Sequence, residues 1–537
     1  MMISSILFNH WKFLTWLLVL FLAGAINTLA YAPLSWLFLQ YLAIGIFCYS
    51  SIKIVNNLSN TSHKVVFKGF LFGFAFGFGW FITGVSWVYI TLLNFGGLPF
   101  YLAGLATLFF CIYLACFPAI ACAGTIFLYK KLNFIQNKKF KAIFFAITFA
   151  NTFTLLELLR AKLFTGFGWL SLGYAHSITS FLSFKNLAVF IGEPGIMWLV
   201  VLLISFTIYT IHEIINKNSS YSHLITISLV WFLVIFIANN QFIFTKKSNF
   251  DHKYLLVQGN LPIEMKWDED KYEKNINLYK DLILQYKNNF PLTVILPETA
   301  LVLFNHQYSQ NFIEDIKILD LNLIAGGIEE DEGYYNSALI INSKNNHKKN
   351  QLYRKRHLVP FGEFPPPFFK WFAEKLKIPM ANLQAGIEDN QNIIIDNIQA
   401  AITICYENLF PQEYLHRTNN ANLLINISNT GWYGNSWATP QHLQISQMRA
   451  IEAQKPMIHV ADTGISAYIN RMGIIEKKIP EKTRGAILIN IETFAGSTLY
   501  SRYGEKIIWL IIIISQLIVA ILFFISSKMN ISDNIKP

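Results

Sequence analysis

Residues 224–258 read LITISLVWFLVIFIANNQFIFTKKSNFDHKYLLVQ, and two physical patterns meet inside them. From Leu224 to Phe242 the run is apolar and uncharged, long enough to cross the hydrocarbon core of a bilayer as a helix. After a polar stretch, Tyr254–Gln258 is a short, mostly apolar run closed by Gly259, which suits a buried strand. The first pattern governs the chain before this junction and its last residues. The second governs the stretch between.

Seven more runs read as spanning helices: Phe13–Ala30, Leu34–Ile52, Val66–Ile90, Tyr101–Tyr129, Ala142–Leu159, Leu187–Ile211 and, at the far end, Ile507–Ile525. Leu29-Ala30-Tyr31-Ala32 looks like a signal-peptide cleavage site, but the next apolar run starts at once, so a helical hairpin turned by Pro33 is expected instead. Composition agrees: 53% of the 537 residues are hydrophobic and 14% charged, against about 25% charged in ordinary soluble domains. With 47 Phe, 24 Tyr and 13 Trp and no Gly- or Pro-dominated repeat, a disordered, collagen-like or solenoid chain is excluded. The net charge of +11 reflects loop anchoring, and no basic stripe interleaved with stacking aromatics points to nucleic acid.

Loop charges give the orientation. Lys130, Lys131, Lys138, Lys139 and Lys141 crowd the fourth connection and Lys53, Lys64 and Lys68 the second, whereas Thr91–Pro99 in the third carries no charge. The positive-inside rule puts the N-terminus in the cytoplasm. Counting crossings then sets Thr245–Glu505 on the far side, the periplasm of a bacterium. The expected domains are residues 1–244 with seven membrane helices, 245–505 as an extracytoplasmic domain, and 506–537 as the last helix and a short tail.

Within 245–505, short apolar or β-branched runs recur at Tyr254–Gln258, Leu292–Leu296, Leu321–Ala325, Ser337–Ile341, Ala400–Ile404, Asn422–Ile427, Met457–Val460, Ser466–Ile469 and Ala486–Ile491. Amphipathic stretches, notably Glu269–Lys287 and Ala438–Gln454, lie between several of them, which indicates a layered α/β domain. In such domains chemistry collects at the carboxyl ends of strands. Glu298 follows Leu292–Leu296, Cys405 ends Ala400–Ile404, and Lys355 sits in the extended run Leu352–Leu358. A carboxylate, an ammonium and a thiol are the parts of an activated nucleophile. Each also has a plainer reading. Glu298 suits a helix cap, Lys355 lies in a basic cluster with Arg354, Arg356 and His357, and a lone thiol is often core filler. Strand alternation turns Lys355 away from Arg354 and Arg356, so it can face inward. The other four cysteines, Cys48, Cys111, Cys116 and Cys122, fall in apolar runs, so Cys405 has no partner for a disulfide or a CxxC metal site in its domain.

The surrounding residues carry a family resemblance. Leu296-Pro297-Glu298-Thr299-Ala300, then Tyr353-Arg354-Lys355-Arg356-His357-Leu358-Val359-Pro360-Phe361-Gly362-Glu363, then Ile404-Cys405-Tyr406-Glu407 resemble, in order, the three catalytic motifs of the nitrilase superfamily. The His-Leu-Val-Pro-Phe-Gly-Glu form and the flanking helices are similar to its bacterial apolipoprotein N-acyltransferase branch. Val257-Gln258-Gly259-Asn260 with Lys266-Trp267-Asp268, Thr165-Gly166-Phe167-Gly168-Trp169-Leu170, and Asn426-Ile427-Ser428-Asn429 leading to Trp432-Tyr433-Gly434 extend the resemblance over nearly the whole chain. Two positions depart: Thr430 stands where the family often has aspartate, and Tyr433 where it often has phenylalanine. The loop from Phe364 to Asp389 matches no pattern.

The resemblance implies a fold of class α/β, a nitrilase-like αββα sandwich carried by eight membrane helices. It implies transfer of an acyl chain from a membrane phospholipid to the α-amino group of an S-diacylglyceryl-cysteine apolipoprotein at a bacterial inner membrane. Glu298 would be the base, Cys405 the nucleophile that holds a thioester, and Lys355 the oxyanion's partner. Glu363 would support the lysine, and Tyr406 and Glu407 would shape the pocket behind the thiol. Trp169 and Trp267 are candidate substrate contacts. So is Trp371, in an aromatic, proline-rich arm from Phe364 to Phe372 that suits a membrane interface. No metal or organic cofactor is called for, and a monomer is expected. A tethered amidase passing its acyl group to water would share the triad, but seven preceding helices are more than an anchor needs. A transporter or receptor whose outer domain only binds would carry more ionisable residues within its helices.

The charge asymmetry makes a direct prediction. A cysteine introduced beside Lys138 is expected to resist an impermeant thiol reagent in cells with an opened outer membrane, and to react once the inner membrane is permeabilised. Equal labelling before and after would reverse the topology.

Overall fold

The computed structural model describes residues 2–56, 63–131, 138–217, 220–290, 292–343, 350–365, 382–387 and 392–533. They form two compact units: Met1–Ser86, Gly104–Gln241 and Glu505–Pro537 in one, Trp87–Ala103 and Phe242–Gly504 in the other.

The first unit is helical. Among the described residues, eight helices are long and apolar enough to cross a membrane: Trp11–Ala30, Leu37–Val55, His63–Gly84, Phe100–Lys131, Phe140–Arg160, Lys185–Ile215, Ser222–Asn239 and Lys506–Ile525. Small residues let backbones touch where lipid offers no hydrophobic drive to associate. A Cβ on Gly79 would lie 1.9 Å from the Phe21 carbonyl oxygen, so the first and third helices meet backbone to backbone there. The last helix is tied in through Asn151, whose Nδ2 donates to Ser515 Oγ at 2.9 Å and whose Oδ1 accepts from Trp198 Nε1 of a third helix at 2.7 Å.

One expected span needs correction. The run Val66–Ile90 is not one helix: it stops at Gly84, and Trp87–Asn94 is a separate short helix that groups with the second unit. Apolar continuity hid the break, because both pieces are equally hydrophobic.

The second unit contains thirteen described strands in two sheets. The first sheet has the order β13 (Gly485–Gly496), β1 (Thr245–Gln258), β2 (Thr293–Ile295), β4 (Asn322–Glu330), β5 (Tyr334–Ile341), β6 (Gln351–Arg354), with β3 (Leu301–Leu303) paired to β4. The second has the order β12 (Ile475–Ile479), β11 (Ser466–Ile469), β10 (Met457–Ala461), β9 (Leu423–Ser428), β8 (Ile398–Ile404), β7 (Ile393–Ile395). The middle strands of each run parallel, β1, β2 and β4 in one and β8, β9 and β10 in the other. Strands buried on both faces carry near-continuous apolar runs, which is why LLINIS of β9 and AAITI of β8 lack a polar–apolar alternation with exposed positions.

Residues of alternate parity explain the layers. On the first sheet Leu255, Val257, Val294, Leu323 and Leu339 pack with Ile276, Tyr279 and Ile283 of the helix Tyr272–Leu284, and with Phe312, Ile313 and Ile316 of the helix Gln307–Ile318. On the second, Ala401, Leu424, Met457 and Ala467 pack with Leu443, Ala450 and Ala453 of the helix Ala438–Ala453. The residues between them, among them Leu256, Ile295, Ile402, Ile425 and Ile458, are fully buried between the sheets. The result is an αββα sandwich in which the ends of β2, β8 and β9 deliver Glu298, Cys405 and Asn429 one to three residues later.

Gly326 of β4 sits directly against this edge: a Cβ there would lie 2.5 Å from Glu298 Cα and 2.6 Å from the Pro297 carbonyl oxygen, both rigid backbone atoms. Gly326→Ala is expected to push the Glu298 segment off its position. Activity should drop at least tenfold, with a lower melting temperature in detergent. Full activity would show that the segment can yield freely.

Candidate active site

Three backbone segments bring Glu298, Lys355 and Cys405 together as buried side chains. Cys405 follows the last residue of β8 and takes φ of 52°, a left-handed conformation costly for a residue with a Cβ, before a tight helical turn, Cys405–Leu409. Its peptide is held in that pose. Cys405's carbonyl accepts from Asn426 Nδ2 at 3.3 Å and lies 3.2 Å from His442 Nε2. Burial lowers the His442 pKa to about 4, so the ring is neutral. Thr299, beside Glu298, is also left-handed at φ 53°.

Lys355 comes one residue after β6, with its N–H donating to the Asn336 carbonyl at 2.8 Å. As alternation requires, it is 1% exposed while Arg354 and Arg356 are not buried. Arg354 pairs outward with Glu329 and Asp331. The Lys355 Nζ donates to Glu298 Oε1 at 3.1 Å and to Glu363 Oε1 at 2.8 Å. Asn336 Nδ2 donates to the same two oxygens, at 2.7 Å each. The other carboxylate oxygens are taken by backbone, Asn429 N on Glu298 Oε2 and Val359 N on Glu363 Oε2, at 2.7 and 2.8 Å. Burial works against the lysine's charge, but the two carboxylates and Cys405 outweigh it and hold its pKa well above the ordinary value.

Donor counting shows what remains free. An ammonium has three donors, and two are spent, leaving one for an oxyanion. Glu298 Oε1 accepts twice and Oε2 once, leaving one acceptor position on Oε2 for an incoming proton. The thiol itself is pushed up to about 12, first by burial and then by Glu298, with Lys355 opposing. It therefore rests protonated beside a carboxylate able to remove its proton.

Glu407 joins the two halves of the site. Its carboxylate accepts from Tyr353 Oη (3.0 Å), Arg356 N (2.7 Å), His357 N (3.3 Å) and Ile404 N (2.7 Å), which clamps the Lys355 segment of one sheet to the Cys405 turn of the other. Tyr406 is buried behind the thiol with its ring against His357 and Phe410. Trp267 is half-buried in an apolar wall with Ile328, Leu358, Leu383 and Phe364. Trp169 belongs to the helical unit, where it is fully buried with its carbonyl accepting from Arg160 Nη1 at 3.1 Å. Trp371 and most of its arm lie outside the described residues.

The sequence reading missed Asn336, Asn429, His442 and a buried ion pair. Lys266 Nζ lies 2.9 Å from Asp462 Oδ2 and 3.3 Å from the Glu298 carbonyl oxygen, and Tyr279 Oη donates to Asp462 Oδ1 at 3.0 Å. Asp462 sits just past the end of β10, and Lys266 ends the short helix Ile263–Lys266 that follows β1.

Residues 256–496 match the carbon-nitrogen hydrolase family model, and residues 23–206 the model of the apolipoprotein N-acyltransferase N-terminal domain. The apolipoprotein N-acyltransferase of Nitrosomonas europaea is 32% identical over 82% of this chain and 86% of its own. The chain belongs to the apolipoprotein N-acyltransferase family. Other members are that of Coxiella burnetii, 31% identical over 93% of this chain and 98% of its own, and that of Haemophilus ducreyi, 29% identical over 95% and 96%. Among solved structures, a CN-hydrolase superfamily protein from Xanthomonas campestris aligns with TM-score 0.35 and 17% identity, over 49% of this chain and 97% of that one. The family consists of enzymes of the carbon-nitrogen hydrolase superfamily, and this member combines their α/β domain with a multi-pass membrane unit.

The electrostatics make a prediction whose two halves run in opposite directions. Glu298→Gln removes a charge that raises the thiol pKa. Cys405 should then be alkylated by iodoacetamide faster at neutral pH than in the wild type, while turnover falls at least 100-fold for want of a base. Slower alkylation alongside lost turnover would mean that Glu298 does not set the thiol's charge.

Proposed function

We propose that the chain transfers an acyl group from a membrane phospholipid to the α-amino group of an N-terminal S-diacylglyceryl-cysteine, through a thioester on Cys405. Residues 245–505 face the periplasm of a bacterial inner membrane, on the reading of the loop charges. The observation that carries the mechanism is the free acceptor position on Glu298 Oε2 beside a buried, protonated thiol.

In the first half-reaction Glu298 takes the thiol proton as sulfur bonds to the ester carbonyl carbon. The oxyanion meets the unspent Lys355 donor. The adduct collapses by breaking the bond to the glycerol oxygen, which receives the proton from Glu298 and leaves as lysophospholipid. In the second, the lipoprotein amine attacks the thioester carbonyl and yields its proton to Glu298. The C–S bond then breaks and the proton returns to sulfur. The membrane unit keeps both lipidated substrates in one plane, which raises their effective concentration. The apolar wall around Trp267 excludes water from the thioester.

The test is the mass of the intact protein after incubation with phospholipid alone. One acyl group per chain is expected, released by neutral hydroxylamine and absent from Cys405→Ala, with transfer resuming when a diacylglyceryl-cysteine peptide with a free amino terminus is added. Steady fatty-acid release without the peptide, at the peptide-stimulated rate, would make water the acceptor and overturn the reading.

A further inference from the structure

The Glu298 carboxylate is held by Asn336, Lys355 and Asn429, and a second buried cation, Lys266, holds its backbone. Lys266 ends the short helix Ile263–Lys266 and is 1% exposed. Its ammonium lies 2.9 Å from Asp462 Oδ2 and donates to the Glu298 carbonyl oxygen at 3.3 Å and to Thr299 Oγ1 at 3.5 Å. The acyl-transfer steps make no use of this pair. Burying two ions is costly, and well-packed apolar residues of similar volume are often as stable or more so, so stability alone does not call for it.

The peptide that Lys266 touches is one that needs holding. Thr299 is β-branched and takes φ of 53°, a left-handed conformation that such a residue rarely adopts. That angle sets the plane of the Glu298–Thr299 peptide, whose oxygen faces the ammonium. Thr299 Oγ1 donates back to the same oxygen at 2.8 Å and accepts from Asn429 Nδ2 at 3.4 Å. The preceding carbonyl, of Pro297, meets only backbone N–H groups, Gly326 N at 3.2 Å and Ala300 N at 3.4 Å. A charged donor is the stronger hold, and it falls on the strained peptide. Asp462 anchors the ammonium in turn. It is fully buried, its N–H donates to the carbonyl of Ser428 at the end of β9 at 3.2 Å, and its carbonyl accepts from Asn260 N just past β1 at 3.0 Å. Its Oδ1 accepts from Tyr279 Oη at 3.0 Å. The pair is thereby fixed to both sheets.

We infer that Lys266 is a positioning residue for the base: its ammonium, anchored by Asp462, holds the Glu298–Thr299 peptide in its left-handed turn and so aims the free position on Glu298 Oε2. Lys266 takes no part in the proton transfers, and the balance of the two half-reactions is unchanged. This rests on the reading of Glu298 as the base of acyl transfer.

A double substitution separates this role from plain support of the fold. Lys266→Met alone leaves Asp462 as an unpaired buried charge and should lower the melting temperature. Lys266→Met combined with Asp462→Asn removes both charges, keeps an acceptor for Tyr279 Oη and leaves the net charge of the site as it was. In mixed detergent–phospholipid micelles it should melt close to the wild type. Its single-turnover acylation, read as intact mass at saturating phospholipid, should still be about 10- to 100-fold slower, with the half-saturating lipid concentration unchanged. Alkylation of Cys405 by iodoacetamide at neutral pH should be faster than in the wild type, because a displaced Glu298 opposes the thiolate less. Wild-type acylation and alkylation in the double variant would reduce the pair to support of the fold and overturn the inference. The single variants give a second comparison, since both break the same ion pair but only Lys266→Met removes the donor to the Glu298 carbonyl. Asp462→Asn should lose less acylation than Lys266→Met, and equal losses would also overturn the inference. If the wild type gains no acyl group while the double variant is still alkylated faster, the acyl-transfer reading fails and the hold on Glu298 stands.

Discussion

One buried ammonium, Lys355, is what the rest of the site is arranged around. Removing a charge from water costs several kcal/mol even after relaxation, and the cost is offset only when every donor and acceptor nearby is satisfied. Here two carboxylates share the lysine, Asn336 bridges the same two oxygens, and backbone N–H groups of Asn429 and Val359 fill the outer positions. The cluster carries more negative than positive charge, so its members cannot be removed singly. Deleting one partner of such a group typically costs about 3–5 kcal/mol because an uncompensated charge stays behind. The carboxylates therefore serve the fold and the chemistry at once: the interactions that make burial tolerable also fix which lone pair of Glu298 stays free.

The architecture follows from holding that cluster between two sheets. Lys355, Glu363 and Asn336 belong to the first sheet's strands and loops, Cys405, Glu407 and Asn429 to the second's. Neither sheet alone contains a site. The two are registered by a few polar contacts in an otherwise apolar interface, with Glu407 gripping β6's continuation and the Cys405 turn, and Asn429 gripping Glu298. Because apolar packing is non-directional, these hydrogen bonds set the distance between Cys405 and Glu298. The left-handed backbone at Cys405 and Thr299 is the local strain that this arrangement sustains.

How much of this was legible depends on whether a residue's role leaves a mark on its neighbours in the chain. The strand cores and the three polar residues past their ends were readable, because parallel buried strands are continuous apolar runs and a lone polar group at their carboxyl end stands out. The inward turn of Lys355 could be read from alternation alone. Asn336 lies within β5, where an asparagine looks like any half-exposed strand residue, and its two acceptors are distant in sequence, so no local pattern marks it. Lys266 and Asp462 lie far apart in the chain, and only the fold brings them to 2.9 Å. The helix Trp87–Asn94 was read as the tail of a membrane span because hydropathy cannot distinguish an apolar helix that faces lipid from one that packs on Trp432 and Tyr433. Short or polar elements such as β3 and β12 left too few residues to show a period.

The chemistry proposed here sets two demands on one sulfur that conflict unless charge is controlled in time. A nucleophile ready at rest would be a thiolate, exposed to oxidation and to any electrophile that diffuses in. A thioester that persists until an amine arrives needs the opposite, a dry pocket with no free base to activate water. Burial together with Glu298 resolves the first demand by keeping the thiol protonated, at about 12, until a carbonyl is close enough for proton removal and bond formation to proceed together. Once sulfur is acylated the same carboxylate would activate water if water reached it. Its three fixed donors leave a single acceptor position, so only one incoming donor can be served at a time. The substrate that does reach it must bring its own nucleophile to one point, the open side of Glu298 Oε2, and an amine carried on a lipid in the same membrane plane meets that condition far more often than a water molecule crossing the apolar wall at Trp267, Leu358 and Leu383.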